Sequence, residues 1–315
     1  KYHLYVSYNS KADFKSRKKN IDKKLLNESI DILLKIRDKR KKPFTDEKIL
    51  TSWNALTIKS LIDYCKTSKD MTYIVNSEKA INFLIEKMLF EDGLNATYKD
   101  GKSHINAYLD DYAFLIDAIL NFLSIKWDNK LLKQAILLSD LLIEKFLDNH
   151  DGGFFFTAKD YEDLIQKPKP TADEAFPSGN SIAAKVLIKL GFLMNNTQYL
   201  DSAHSVFTYA SKQINDSPNA HSSLLDSYLL KEKPFVIIIL KAESSYKDLA
   251  LWLNPLVNLN KPYIDYYHVP KNNTGYSNID DKILLGEVTA YICTDYTCEE
   301  PICDLEEFIS RINLL

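Results

Sequence analysis

Ser52-Trp-Asn54-Ala-Leu-Thr-Ile-Lys59 and Ser178-Gly-Asn180-Ser-Ile-Ala-Ala-Lys185 share the pattern S-x-N-[AS]-[LI]-x-x-K. Between them, Asp110-Asp-Tyr112-Ala-Phe-Leu-Ile fits the same register, with Tyr112 where the asparagines stand. The three starts lie 58 and 68 residues apart, and two are preceded by matching turns, Glu91-Asp-Gly93 and His150-Asp-Gly-Gly153. Each unit reads as turn, extended segment, inner helix and outer helix. Repeated hairpins of this period predict a toroid or solenoid of helix pairs.

Outward from these motifs, helical periodicity covers roughly residues 22 to 232. The expected helices are Asp22–Lys41, Thr51–Thr67, Ile74–Leu89, Asp110–Ile125, Asn129–Leu147, Ser178–Leu193, Thr197–Ile214 and Ser217–Lys231. The clearest stripe is Leu132, Ala135, Ser139, Leu142 and Phe146. After Lys233-Pro234 the pattern changes to strands at Phe235–Leu240, Tyr263–Val269 and Val288–Cys293. A short helix over Tyr246–Leu253 and a closing helix over Asp304–Leu315 complete a small α/β module. The expected organisation is an N-terminal extension (1–21), a helical-hairpin toroid (22–232) and the α/β module (233–315).

The 315 residues carry 40 Lys+Arg against 43 Asp+Glu, a net charge of −3, with 45% hydrophobic residues, ample for a sizeable core. No apolar run reaches about 18 residues, so no transmembrane helix is expected. Only 8 glycines occur, with no G-x-G-x-x-G and no G-x-x-x-x-G-K-[ST]. No nucleotide-type cofactor is therefore expected. Between Lys11 and Lys42, 13 basic residues face five acidic ones, leaving −11 for the remainder. Leu26, Ile30, Leu33 and Arg37 trace one helical stripe there, so the lysines read as its wet face rather than as a nucleic-acid patch.

In a helical toroid, the N-terminal ends of the inner helices converge on one mouth. That places Asp46, Trp53, Asn54, His104, Asp110, Asp111, Tyr112, Asp173, Glu174, Ser178 and Asn180 at a common rim. Carboxylates, amides and aromatics together suit a small sugar ligand. Asp110, Asp111 and Asp173 are the candidate proton-handling residues; Trp53, Asn54, His104, Tyr112, Glu174, Ser178 and Asn180 are the candidate binding residues. Each also has a plainer reading. Thr51, Ser52, Ser178 and Asp110 can cap helices, and Asn54 and Asn180 can tie neighbouring backbone together. Burial is expected around Asn54 from Trp53, favouring a tie there and a ligand role at Asn180.

Six histidines lack H-x-x-x-H spacing, so no metal is expected. Cys65 reads as inert core. Cys293, Cys298 and Cys303 lie five apart, open to a disulfide or redox pair at Cys293 and Cys298. So few cysteines in a large core favour a reduced, cytoplasmic set.

Several segments resemble the thioredoxin-domain proteins related to spermatogenesis-associated protein 20. Phe44-Thr-Asp46-Glu-Lys-Ile-Leu-Thr-Ser-Trp-Asn54-Ala-Leu is similar to that family's D-D-K-x-L-T-x-W-N-G-L. Tyr98-Lys-Asp-Gly101-Lys with Leu109-Asp-Asp-Tyr112-Ala-Phe is similar to its D-G … L-[ED]-D-Y-A-F. Asp173-Glu-Ala-Phe-Pro177-Ser-Gly-Asn180-Ser resembles D-x-A-x-P-S-G-N-S, and Cys293-Thr-Asp-Tyr-Thr-Cys298-Glu-Glu-Pro301 resembles C-x-x-[FY]-x-C-x-x-P. Ala55 and Glu174 depart from the usual glycines. The resemblance implies a mainly α fold, an (α/α) toroid of the six-hairpin glycosidase type. Eight helices fall short of twelve, so the missing hairpins are expected before Lys1. It implies no particular reaction.

Two functions follow as expectations. One is a carbohydrate-active or carbohydrate-binding toroid, glycosidase- or epimerase-like if an enzyme. The other is a non-catalytic interaction scaffold. An incomplete toroid would expose apolar flanks, predicting self-association or a companion chain that supplies the missing hairpins. Neither nucleic acid nor membrane is expected as a partner.

Overall fold

A turn, an extended segment and an inner helix recur in this chain because a side chain in the first turn of each helix ties down the segment leading into it. The computed structural model describes residues 22–161, 164–243, 249–259, 261–271 and 275–315. The expected extension over 1–21 lies outside them. Of the described residues, those up to Glu47 belong to one compact unit and those from Lys48 on to a second.

In the first unit, α1 (Lys23–Asp38) begins at Asp22, whose carboxylate accepts hydrogen bonds from the Lys24 and Leu25 amides at 2.9 and 3.2 Å. The stripe of Leu26, Ile30 and Leu33 forms as expected, but α1 buries no residue.

The second unit starts with β1 (Ile49–Leu50), α2 (Thr51–Ser68) and α3 (Ile74–Met88). Then β2 (Leu89–Phe90), β3 (Gly93–Lys99) and β4 (Lys102–Asn106) form a small antiparallel sheet in which β3 pairs with β1, β2 and β4. The β3–β4 hairpin turns on Asp100-Gly101, whose φ values are 51° and 81°. Both central residues of this two-residue turn need positive φ, which Asp-Gly supplies.

Beyond it, α4 (Leu109–Leu123) packs between α2 and α6 (Gly179–Met194). Behind these inner helices lie α3, α5 (Asn129–Phe146) and α7 (Thr197–Asp216), and α8 (Ser222–Glu232) packs on α6. Flanked on both sides, α4 buries all its residues except Asp110 and Asn121. From α2 to α7 the boundaries expected from periodicity hold to within about two residues. The last expected helix, Ser217–Lys231, instead splits into a 3₁₀ turn at Pro218–His221 and α8. Pro218 lacks an amide hydrogen and sits at the start of that turn, where none is needed.

The C-terminal module is a mixed sheet in the order β6 (Ile264–Val269), β5 (Val236–Ala242), β7 (Val288–Thr294), β8 (Thr297–Cys298). Strand alternation sorts β5 cleanly. Ile237 and Ile239 join the helical core, whereas Val236, Ile238 and Leu240 pack under α9 (Ala250–Leu259) and α11 (Leu305–Ile312). Between β6 and β7 runs a short α10 (Ser277–Asp280). Helix α9 runs past its expected end at Leu253 and continues through Pro255. Burial of Trp252, Leu253 and Leu256 in the second core carries it. Part of the helix expected at Tyr246–Leu253 lies outside the described residues.

Cys293 and Cys298 are joined by a disulfide. This corrects the expected reduced set. The β7–β8 hairpin makes the two cysteines direct cross-strand partners, with Cα atoms 3.9 Å apart. Cys65 and Cys303 are free. A bond closing so short a loop should contribute about 2 kcal/mol through chain entropy. Replacing both cysteines with serine should lower the urea midpoint accordingly. An unchanged midpoint would show that the bond adds no stability.

Candidate functional site

The third position of each repeat performs one local task. Phe154, just past the His150–Gly153 turn, donates its amide to Asn180 Oδ1 at 2.8 Å. Asn180 Nδ2 donates to the Phe154 and Pro170 carbonyls, both at 2.9 Å. In the preceding unit Leu94, just past Gly93, donates its amide to the Tyr112 hydroxyl at 2.8 Å. Asn54 Nδ2 donates to the Leu50 carbonyl at 2.8 Å. Asn and Tyr thus do the same work: they satisfy the backbone of the segment entering the helix. Asn180 is wholly buried with its amide fully engaged, so it acts as a tie and not as the ligand group expected. Trp53 is 59% exposed, contrary to the burial expected there.

The adjacent aspartates at the start of α4 point to different neighbours, as successive helical residues must. Asp111 turns toward α2, accepting from the Ser52 amide through Oδ1 and from the Tyr108 amide through Oδ2, each at 2.9 Å. It, rather than Asp110, caps these helix starts. Burial pushes Asp111 up to about 6, against those two amides.

Asp110 turns toward α6, where a Cβ added at Gly179 would overlap its Oδ1. Only glycine allows this approach. Burial, and after it the charges of Asp111 and Glu174, push Asp110 up to about 7. The Gly179 amide pulls the other way, but Asp110 Oδ1 is buried without a hydrogen-bond partner among the described residues.

Asp173 uses both oxygens to join two helix starts, accepting from Ser178 N at 3.0 Å and Ser223 N at 2.8 Å. Ser178 caps α6, its hydroxyl accepting from Ser181 N at 3.2 Å. Glu174 is exposed, with its charge felt at Asp110. Asp46 lies in the first unit. His104 sits exposed on β4, opposite Thr97, without a hydrogen bond or ion pair among the described residues. The structure therefore brings Asp110, Asp111 and the Glu174 charge together at the start of α4, leaves Trp53 exposed at the start of α2, and assigns Asn54, Tyr112, Asp173, Ser178 and Asn180 to backbone ties and caps.

Three aromatic residues near this mouth escaped the sequence reading. Tyr108 stacks on Phe156, with ring centroids 5.0 Å apart, and Phe176 meets Phe114 edge-on at 6.1 Å. Tyr108 immediately precedes the Leu109-Asp-Asp motif, which is the signal that could have found it. Also missed was a polar cleft of about 620 Å³ farther along the same inner helices, lined by Lys59, Asp117 and Lys185 among others.

No family model matches the chain. An uncharacterized protein of Caenorhabditis elegans is 26% identical over 307 residues, 92% of this chain and 41% of that protein. Human spermatogenesis-associated protein 20 is 23% identical over 306 residues, 89% of this chain and 38% of that protein. The rat protein of the same name is 24% identical over 239 residues, 71% of this chain and 30% of that protein. The chain thus spans about two fifths or less of the length of these curated relatives. Among solved structures, a GH76 α-mannanase from Bacteroides thetaiotaomicron aligns with TM-score 0.48 and 16% identity, covering 61% of this chain and 53% of that one. A family 105 glycoside hydrolase from C. acetobutylicum aligns with TM-score 0.43 and 14% identity, covering 62% and 59%. In sequence, this mainly helical chain is similar over most of its length to part of spermatogenesis-associated protein 20.

Proposed function

We propose that the chain is a carbohydrate-active protein that holds a sugar at the N-terminal ends of α2, α4 and α6, with Asp110 handling the proton. One observation carries this reading. Of the three expected aspartates, Asp110 alone keeps an oxygen without a hydrogen-bond partner among the described residues, and burial poises it near 7. Asp111 and Asp173 already spend both oxygens on backbone amides. A carboxyl that is half protonated at neutral pH can give its proton to a glycosidic oxygen as the bond to the anomeric carbon breaks. Exposed Glu174 is the nearby carboxylate suited to take a proton from the water that adds to that carbon. Trp53 and the Tyr108–Phe156 stack supply flat apolar faces for a sugar ring.

Isothermal titration against a panel of mono- and disaccharides tests the reading. At least one disaccharide should bind at millimolar concentration or below. Trp53→Ala should weaken it fivefold or more without moving the melting temperature, since that ring is mostly in solvent. Silence across the panel would sink the proposal.

A further inference from the structure

The repeat continues beyond the mouth. Seven residues after the start of each unit stand Lys59, Asp117 and Lys185, and one helical turn later come Asp63, Asn121 and Lys189. All six line the 620 Å³ cleft, which β6 and the segment after α9 close on the far side. That volume falls within the range of small-molecule sites. Seven residues separate Asp110 from Asp117, the nearest cleft-lining residue of α4, about 10 Å of helix, so the cleft lies two turns beyond the mouth.

Most of its charges are matched. Lys59 pairs with Asp63 at 2.6 Å, Lys185 with Asp226 at 3.0 Å and Lys189 with Asp265 at 2.7 Å. Three groups keep hydrogen-bonding or ion-pairing capacity to spare. Asp117 is 5% exposed and makes no hydrogen bond among the described residues, while its charge is balanced by Lys59 and Lys185, each of which feels it more strongly than its own ion-pair partner. Lys66 donates to Asn121 Oδ1, a neutral acceptor, and Asn121 Nδ2 in turn donates to Asp63 at 2.7 Å. Lys261 lies 6.0 Å from the Tyr263 ring and, among the described residues, has no carboxylate within ion-pair distance. The lining carries five ammonium groups and four carboxylates.

We infer that this cleft is a second binding site, for a small hydroxylated anion such as a sugar phosphate or a sugar acid. Hydroxyl groups would donate to Asp117, and the anionic end would meet Lys66 and Lys261. An ammonium-bearing ligand fits less well, because Lys59 and Lys185 flank Asp117 and repel it. A neutral sugar leaves Lys66 and Lys261 without a counter-charge. Buried polar and charged groups are expensive to leave unmatched, so such a ligand gains from both ends. The electrostatics agree. Burial lowers Lys66 to about 8, with Lys189 and Lys59 acting in the same direction and Asp63 and Asp265 opposing; the Tyr266 ring lies 5.5 Å from its ammonium. An adjacent anion favours the charged form.

Titration calorimetry on the full chain at pH 7.5 and low salt, with glucose 6-phosphate, gluconate, glucose and inorganic phosphate as separate ligands, tests the inference. The phosphate sugar or the aldonate should bind at submillimolar concentration, and whichever binds identifies the anionic group. Glucose and inorganic phosphate should each bind at least tenfold more weakly. Lys66→Gln and the near-isosteric Asp117→Asn should each weaken the winning anion tenfold or more. Failure of both anions to bind would overturn the inference. So would equal binding of glucose or inorganic phosphate, or an affinity indifferent to both substitutions. Anion binding that responds to Lys66→Gln and Asp117→Asn but not to Trp53→Ala belongs to the cleft, so this site and the mouth can fail independently.

Discussion

Asp110→Asn is expected to remove turnover and raise the melting temperature at pH 8 in the same protein. A positioned general acid contributes roughly 10²–10⁴-fold, and hydrolysis of any glycoside the chain accepts should fall by that factor. The stability gain follows from the sign of the proton balance. Burial, and then Asp111, raise the Asp110 carboxyl to about 7, whereas in an unfolded chain it would titrate near 4. Between those values the folded state binds more protons, so Asp110 makes stability fall as pH rises from about 4 to 7. A neutral amide removes that penalty, worth on the order of 2 kcal/mol above pH 7 for a group not wholly out of water. Asp111, raised to about 6, adds a slope of the same sign over a slightly lower window. Calorimetric melts at pH 5 and pH 8 read the difference directly. A variant that is less stable at pH 8 would mean that Asp110 is a structural group.

Asn180→Ala should produce the largest stability loss of any single change at the helix starts. The amide side chain serves the Phe154 amide, the Phe154 carbonyl and the Pro170 carbonyl in a fully buried setting. Removing it strands all three. At about 1–3 kcal/mol per stranded group, with some relaxation, a loss of about 3 kcal/mol or more is expected. Tyr112→Phe, at the equivalent repeat position, strands only the Leu94 amide and should lose about 1 kcal/mol. Urea denaturation of the two variants checks both size and order. If Tyr112→Phe proves the more damaging, the shared role of the third repeat position does not hold.

The helices were legible because their apolar positions recur at helical spacing: Leu132, Ala135, Ser139, Leu142 and Phe146 all lie fully buried on α5. The repeat also exposed which residues act alike, since Tyr112 and Asn180 bind the segment entering their own helix. Direction was harder to read. Asp110 and Asp111 are neighbours in sequence, and only the packing of α4 between α6 and α2 decides that one meets Gly179 and the other Ser52. Asn180 read as a ligand group because its partner Phe154 lies 26 residues earlier, a return of the chain that no local pattern announces. A solvent-facing hairpin is the plainer expectation at His104 and it forms, but its strand bounds were not legible, because short half-exposed strands carry little hydrophobic periodicity. The disulfide likewise depended on strand register, which the five-residue spacing alone left open.

A crystal structure of the chain with the most tightly titrating disaccharide tests whether Asp110 reaches a bound sugar. A sugar ring is expected against Trp53 or Tyr108 and a glycosidic oxygen about 3 Å from an Asp110 carboxyl oxygen, with the Asp111 bonds to Ser52 and Tyr108 unchanged. A disaccharide seated away from Asp110, in the Lys66–Asp117 cleft or elsewhere, would contradict that expectation.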